Sequence, residues 1–170
     1  METNQTQLVS DQLEIADTLH RYAFGLDHND ADALGSAFTE DCTFDFTPAG
    51  GKLGLRFPKL SGREAVVRSL ISLLGPLDTS HTVSNLQVKI SGDSATAQAY
   101  IMAQHFMPSD GPRRGTENAL LMNHCELVRD GPKWRLSRVK IENAWAEGDP
   151  EILNALATHR VLVTKPKQGK

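Results

Sequence analysis

The stretch LHRYAFGLD, residues 19–27, forms the second half of an amphipathic helix that the sequence predicts over residues 7–28. Apolar side chains recur every three or four residues, which places them on one helix face. This stripe consists of Leu8, Ile15, Leu19, Tyr22 and Leu26. Asp27 lies about 100° from Leu26 and four residues after Ala23, so it flanks the stripe. It is therefore either an interior aspartate or a solvated one, and a helix C-terminus disfavours the solvated anion.

Two further helices and a strand are predicted outward from this helix. Asn29-Asp30 interrupts it, and Asp30 can cap a second short helix by accepting its first free N–H groups. Residues 42–47 alternate apolar and polar side chains, as in a strand with one buried face. Ser61-Gly62-Arg63-Glu64 is a capping box and predicts a third helix, which Gly75-Pro76 ends.

Only strands and turns follow, until a last short helix over about residues 149–158. The strands are predicted at 81–90, 94–107, 115–129 and 133–146. Consecutive strands without crossover helices make an antiparallel meander, and the order is that of an α+β protein. We predict a cone-shaped barrel, formed by a strongly bent mixed or antiparallel sheet that three N-terminal helices close. It would be a single domain over residues 1–160, with a flexible tail over 161–170.

Composition and charge narrow the class of partner. The net charge of −3 and the pI of about 6.0 provide no basic field for phosphates, so we expect no nucleic-acid partner. The two cysteines lack the spacing of a disulfide framework or a zinc site. The N-terminus is polar, and no apolar run reaches the roughly 18 residues of a membrane span. We expect a cytoplasmic protein with no membrane partner, no metal and no cofactor.

The segment 47–60 is a candidate lid. It is rich in glycine and proline, and a loop of this length in a compact domain is more often functional or mobile than incidental. Its few apolar residues, Leu53, Leu55 and Phe57, suit a contact that forms on closure.

Several motifs along the chain resemble those of the nuclear-transport-factor-two-like superfamily, and within it the SnoaL-like subgroup. They are the stretch 19–27, Asp32-Ala33-Leu34, Phe38 to Asp45, Gly62-Arg63-Glu64-Ala65, Thr79-Ser80-His81 and Trp134-Arg135-Leu136. The resemblance covers residues 8–158 and implies a conical barrel with an interior pocket. The superfamily holds dehydratases, dehydrochlorinases, isomerases, polyketide cyclases and non-catalytic carriers, so the fold alone settles no chemistry. Relatives commonly form dimers or trimers, which implies a homodimer or homotrimer.

The dehydratase and dehydrochlorinase branch implies the site residues. There an aspartate near the end of the first helix pairs with a histidine at the start of the strand after the third helix, and Asp27 and His81 match these positions. Tyr22, five residues before the aspartate, and His105, on the following strand, match further catalytic positions of this branch. His81 would abstract a carbon-bound proton, Asp27 would orient it, and Tyr22 or His105 would donate a hydrogen bond to the substrate.

Each assignment has a purely structural alternative. Tyr22 can fill the core, and a single histidine is more often a hydrogen-bonded core residue than a base. His81 also has the opposite parity to Leu86, Val88 and Ile90, so a bulge near Ser84-Asn85 is needed to turn it inward. We predict that the apolar residues lining the pocket are Leu26, Phe44, Val83, Ile101 and Met122.

Three functions are consistent with these residues. The first is a cofactor-independent lyase that eliminates water or another small group from a small hydrophobic, cyclic substrate. The second is an isomerase or aldol cyclase that uses the same base next to a carbonyl. The third is a ligand-binding or scaffolding domain without chemistry, which gains support if Asp27 and His81 are too far apart to hydrogen bond.

Overall fold

The computed structural model describes residues 5–108 and 115–153. The helices in these ranges are α1 (Gln5–Asp27), α2 (Ala31–Ser36), α3 (Thr47–Lys52) and α4 (Arg63–Leu74). The strands are β1 (Phe38–Asp45), β2 (Leu60–Ser61), β3 (Asp78–Ser91), β4 (Ser94–Phe106), β5 (Gly115–Asp130) and β6 (Lys133–Gly148). The described strands form a six-stranded sheet in the order β2-β1-β6-β5-β4-β3.

The sheet is mixed and strongly curved. β3 to β6 form the predicted antiparallel meander, whereas β1 runs parallel to β6 and pairs with β2 in the antiparallel sense. Register shifts interrupt β3, β4 and β5, and such bulges bend a strand and increase its twist. The N-terminal helices pack against this sheet, which confirms the predicted α+β class.

Strand β4 shows how the sequence produces an interior with free space. Its buried residues alternate strictly with exposed or half-buried ones. The buried set is Ala95, Ala97, Ala99, Ile101, Ala103 and His105. Four of these six inward side chains are the methyl groups of alanines. The strand therefore covers the core but leaves space inside it.

Helix α1 is amphipathic as predicted, but its first turns differ from the expected stripe. Leu8 is 38% exposed, and the buried position is taken by Asp11, which is 3% exposed. Asp11 accepts two hydrogen bonds from the Arg129 guanidinium, at 2.9 and 2.8 Å, and one from the Trp134 indole N–H at 3.1 Å. The Arg129 hydrogen bond is the main reason that the pKa of Asp11 falls to about 2. The carboxylate therefore anchors the start of α1 to β5 and β6.

The helix boundaries confirm one predicted cap and correct another. Asp30 caps α2, because its Oδ1 accepts hydrogen bonds from the N–H groups of Asp32 and Ala33 at 3.0 and 2.9 Å. The predicted capping box is wrong: Ser61 belongs to β2, where it pairs with Thr43, and the N-cap of α4 is Gly62. Gly62 has a φ of 87°, which suits glycine, and makes no side-chain cap bond.

Three other boundaries of helices and strands differ from those predicted from the sequence. The 47–60 segment is not a loop throughout, because Thr47–Lys52 forms α3 with Pro48 in its first turn. β3 begins at Asp78, three residues before the predicted start at 81. The last helix begins at residue 151 instead of 149, and residues 151–153 are helical; its predicted continuation to 158 and the 161–170 tail lie outside the described residues. In the described ranges we find no helix with the length and hydrophobicity of a membrane span.

The α1–α2 corner determines where Asp27 lies. A Cβ atom at Gly25 would come within 2.5 Å of the Leu34 backbone nitrogen, so only glycine allows the two helices to approach this closely. The turn that follows is fixed by the Asp30 N–H, which donates to the Gly25 carbonyl at 2.9 Å. The last turn of α1 is thus held rigidly, and Asp27 with it.

The Asp11 anchor makes a prediction about stability. Asp11→Ala should lower the free energy of unfolding by about 2–4 kcal/mol, because it removes charged hydrogen bonds and leaves a buried indole N–H without its acceptor. Asp93→Ala is the matched control, since Asp93 binds the same guanidinium but is 82% exposed. The control should cost about 1 kcal/mol or less in urea unfolding. Equal, small losses in both variants would show that Asp11 is no anchor.

Candidate active site

The end of α1 meets the beginning of β3 through three hydrogen bonds to one carboxylate. His81 Nδ1 lies 2.6 Å from Asp27 Oδ1, and the His81 backbone N–H donates to Oδ2 at 2.9 Å. The Thr79 hydroxyl donates to Oδ1 at 3.0 Å. All three donors come from two residues of β3, so the strand fixes both the position of Asp27 and the plane of its carboxylate.

These contacts determine the tautomer of His81. Burial alone would raise the pKa of Asp27, but the hydrogen bonds from His81 and Thr79 outweigh it and hold the pKa below its ordinary value. Asp27 is therefore a carboxylate at neutral pH and can only accept, so the proton of a neutral imidazole lies on Nδ1. The other ring nitrogen, Nε2, is then the free base. The His81 side chain is only 3% exposed and lines a cavity.

A bulge in β3 allows His81 to face inward. The β3–β4 register shifts between Ser84 and Gln87, and Asn85 adopts a φ of 53°. Before the shift Val83 pairs with Ile101, and after it Val88 pairs with Ala97, so both halves of the strand place their apolar residues on the inner face. The predicted bulge near Ser84-Asn85 is confirmed. Asparagine is among the few non-glycine residues that tolerate this conformation.

His105 lies edge-on to His81. The two rings have centroids 5.1 Å apart at an interplanar angle of 76°. His105 is 5% exposed, and its Nδ1 has no hydrogen-bond partner within the described part of the chain. Burial, reinforced by the neighbouring His81, lowers the pKa of His105 to about 3. His105 is therefore a neutral imidazole at any pH near neutrality, with an unused polar atom beside the cavity.

The cavity next to the two histidines is mostly apolar. It has an empty volume of about 630 Å³, part of which is open to solvent. Its described lining residues are Tyr22, Leu26, Phe44, Phe46, Leu55, Arg56, Phe57, Leu70, Leu73, Leu74, His81, His105, Asn118, Leu120 and Leu153. Tyr22 packs between Phe38 and Phe44, and burial raises the pKa of its hydroxyl well above the ordinary value. That hydroxyl stays protonated and can donate a hydrogen bond.

The structure brings most of the expected site residues together. Tyr22, His81, His105, Leu26 and Phe44 all line the cavity, and Asp27 does not line it but contacts His81, which does.

Three expected lining residues lie elsewhere. Val83 pairs with Ile101, two cross-strand rows farther along the sheet than the His81–Ala103 pair, and Met122 pairs with Ala99, two rows farther still. None of the three is among the residues that line the cavity: Ile101 and Met122 are fully buried in the core, and Val83 packs against it. The alternation of residues along each strand predicts that these side chains point inward. It does not predict where along the sheet the cavity ends and the packed core begins.

Two polar residues of the site were missed by sequence reasoning. Thr79 precedes His81 by two residues and so shares its strand face. Asn118 is 1% exposed and lines the cavity, and it lies in one cross-strand row with His81 and Ala103. The signal for Asn118 was a polar side chain at an inward position of β5. No cluster of three metal-ligating side chains occurs among residues 5–108 and 115–153.

The chain belongs to the family of SnoaL-like domains, whose sequence profile matches residues 7–140. Terrestric acid biosynthesis cluster protein E of Penicillium crustosum is 27% identical over 149 residues, which cover 85% of this chain and 90% of that protein. An uncharacterised protein of Mycobacterium tuberculosis is 29% identical over 131 residues, 76% of this chain and 83% of its own length. The resemblance seen in the sequence is confirmed.

Solved structures share the nuclear-transport-factor-two-like fold. The Kfla4162 protein of Kribbella flavida has a TM-score of 0.76 at 26% identity and covers 87% of this chain and 99% of its own. A Novosphingobium aromaticivorans protein provisionally named scytalone dehydratase has a TM-score of 0.69 at 22% identity, covering 86% and 91%. A hexachlorocyclohexane dehydrochlorinase of Novosphingobium barchaimii gives 0.68 at 15% identity, covering 85% and 94%. The last two similarities show the fold alone.

The buried neutral His105 predicts a pH effect on stability. In the unfolded chain the imidazole binds a proton below about pH 6.5, whereas in the folded protein it does so only near pH 3. The unfolded state therefore binds more protons in this window, and stability must fall as the pH falls through it. As the pH falls, the free energy of unfolding of the wild type should decrease by up to about 1.4 kcal/mol per pH unit more than that of His105→Gln. Urea unfolding at several pH values measures this difference.

The control for this experiment is Gln104→Ala, at the neighbouring half-buried position without a titrating group. Its difference from the wild type should be independent of pH. If the wild-type and His105→Gln curves also run parallel between about pH 6.5 and pH 4.5, His105 is not buried as a neutral imidazole.

Proposed function

We propose that the protein is a cofactor-independent lyase that eliminates water, or another small leaving group, from a small hydrophobic, cyclic substrate. One observation carries this proposal: the 2.6 Å contact between Asp27 Oδ1 and His81 Nδ1 leaves Nε2 as the free nitrogen of a buried imidazole that lines an apolar cavity. A base in such a place is suited to removing a proton from carbon, because little water competes for it.

The proposed step begins with the C–H bond next to the leaving group. His81 Nε2 takes the proton, the electron pair of the broken C–H bond becomes the new carbon–carbon double bond, and the bond to the leaving group breaks. Asp27 stabilises the imidazolium through the Nδ1–H hydrogen bond and stays ionised throughout. The departing oxygen needs a proton or hydrogen bonds as its charge develops.

Three polar groups of the cavity are available to that oxygen. The Tyr22 hydroxyl and a neutral His105 can each donate one hydrogen bond, and burial keeps both in the form that donates. Asn118 lies in the same cross-strand row as His81, with only the methyl group of Ala103 between them. A polar part of the substrate bound above Ala103 would therefore lie between the base and an amide.

The rest of the cavity supports a hydrophobic, ring-shaped substrate. Four aromatic side chains, those of Tyr22, Phe44, Phe46 and Phe57, line it together with leucines. Flat apolar surfaces of this kind bind rings by stacking and by exclusion of water. The same fold accommodates a hexachlorocyclohexane dehydrochlorinase, an enzyme named for an elimination, so the fold is compatible with this chemistry.

The alternatives make different products or none. An isomerase or aldol cyclase would use the same base but would return the proton or form a carbon–carbon bond, so the product would not lose a leaving group. Loss of 18 mass units from a hydroxylated substrate would establish dehydration. A domain without chemistry would gain support from a separated Asp27 and His81, and their contact at 2.6 Å removes that support.

The dyad predicts a steep and non-additive loss of activity. His81→Ala removes the base, and Asp27→Asn leaves the imidazole in the wrong tautomer and its cation unstabilised. Each should lower kcat by about 10²–10⁴ on a substrate found by screening hydroxylated or halogenated cyclic compounds for elimination products. Because the two residues act as a unit, the double variant should lose little more than the worse single one.

His20→Ala, at an exposed position of α1, is the control and should keep wild-type kcat. An Asp27→Asn variant with near wild-type kcat would refute the dyad. Fully multiplicative losses in the double variant would point to two independent contacts instead.

The second half of the 47–60 segment predicts closure over a bound substrate. Leu55 and Phe57 line the cavity, while Lys52 donates to the Asn143 carbonyl at 2.7 Å and ties the end of α3 to β6. Residues 53–57 therefore extend from a fixed point across apolar surface. Their amides should exchange faster without substrate than with it, whereas those of Ala97 and Ala99 in β4 should exchange slowly in both states. Equal slow exchange over 53–57 in both states would contradict a lid.

A further inference from the structure

The Thr79 hydroxyl is the third donor to the Asp27 carboxylate. The proposed reaction gives this residue no role so far. We infer that Thr79 is a positioning residue, whose hydroxyl fixes the carboxylate that in turn aims His81 at the substrate. This inference rests on the proposed function for its kinetic consequences, but its structural consequence can be measured without any substrate.

The geometry shows why His81 alone does not fix the carboxylate. Asp27 Oδ2 is held by the His81 backbone N–H, and Oδ1 is shared between the imidazole and the Thr79 hydroxyl. Without the hydroxyl, Oδ1 is held only by the ring that it is supposed to orient. The Asp27 side chain is 20% exposed, so water can then take the vacant acceptor direction and draw the carboxylate out of the imidazole plane.

The location of Thr79 supports a dedicated role. It lies two residues before His81 on the same face of β3, and it pairs with His105 across the β3–β4 ladder. The hydroxyl therefore lies among the three groups on which the proposed reaction depends, those of Asp27, His81 and His105. Valine has nearly the shape of threonine and lacks only the donor, so Thr79→Val isolates the hydrogen bond.

The charge on Asp27 adds a second consequence. The Thr79 hydrogen bond is one of the contacts that hold the pKa of Asp27 low, so its removal must move that pKa upward. The titratable groups that interact with Asp27 are Tyr22 on α1, His81 on β3 and His105 on β4, and the substitution leaves all of them in place. The pKa of the Asp27 carboxyl, followed by its ¹³C chemical shift, should therefore be higher in Thr79→Val than in the wild type.

The test compares Thr79→Val, Thr79→Ser and Thr82→Val. Thr79→Val should lower kcat about 10-fold to 100-fold with KM within about twofold, as expected for a lost hydrogen bond to a charged group. Thr79→Ser keeps the donor and should recover most of the activity. Thr82→Val makes the same change at an exposed position of the same strand and should behave as wild type.

A substrate-free measurement separates this inference from the proposed function. The His81 Nδ1 proton, followed by nuclear magnetic resonance, should exchange with water faster in Thr79→Val than in the wild type, Thr79→Ser or Thr82→Val. That result, in a protein that eliminates nothing, would reject the lyase but keep the positioning role. An unchanged proton exchange rate in a folded Thr79→Val protein, or a Thr79→Ser variant as impaired as Thr79→Val, would overturn the inference.

Discussion

A carboxylate that is largely removed from water at the C-terminal end of a helix is stable only if hydrogen-bond donors replace the water that it has lost. Asp27 is such a group, and the donors it needs are available only at the start of β3. This requirement fixes where α1 must end relative to the sheet. The other end of α1 is fixed in the same way, because Asp11 finds its donors on β5 and β6. The helix is thus held across the sheet by two carboxylates, and the second of them reaches the cavity through His81.

The chemistry of the site follows from how unevenly its polar groups are solvated. Asp27 accepts three hydrogen bonds and stays ionised, whereas His105 has a buried ring nitrogen without a partner in the described part of the chain and stays neutral. Tyr22, buried between two phenylalanine rings, keeps its proton. One small volume therefore holds an oriented base next to two neutral donors. Such a division of protonation states is what proton transfer at neutral pH requires.

Much of this arrangement could be predicted from the sequence, because it depends on local spacing. Most of the helical stripe, the four-strand meander and the bulge at Ser84-Asn85 follow from the periodicity of apolar residues, whereas α3 and β2 do not. The closeness of Asp27 and His81 did not follow from periodicity and was implied by resemblance to a family. The features that could not be predicted depend on cross-strand register. The row of an inward residue in the sheet decides whether it fills the core, as Ile101 does, or lines the cavity, as Asn118 does. Asp11 was missed for a related reason, since a polar residue is buried only when distant partners such as Arg129 and Trp134 meet it.

The central claim is that Asp27 holds His81 with the proton on Nδ1 and leaves Nε2 as a base facing the cavity. The ¹⁵N chemical shifts of the two ring nitrogens of His81, measured in labelled protein at a pH where the imidazole is neutral, test it directly. We expect a protonated Nδ1 and an unprotonated Nε2 in the wild type, with this preference weakened or lost in Asp27→Asn. A proton found mainly on Nε2 of the wild-type protein would contradict it, because no free base would then face the substrate.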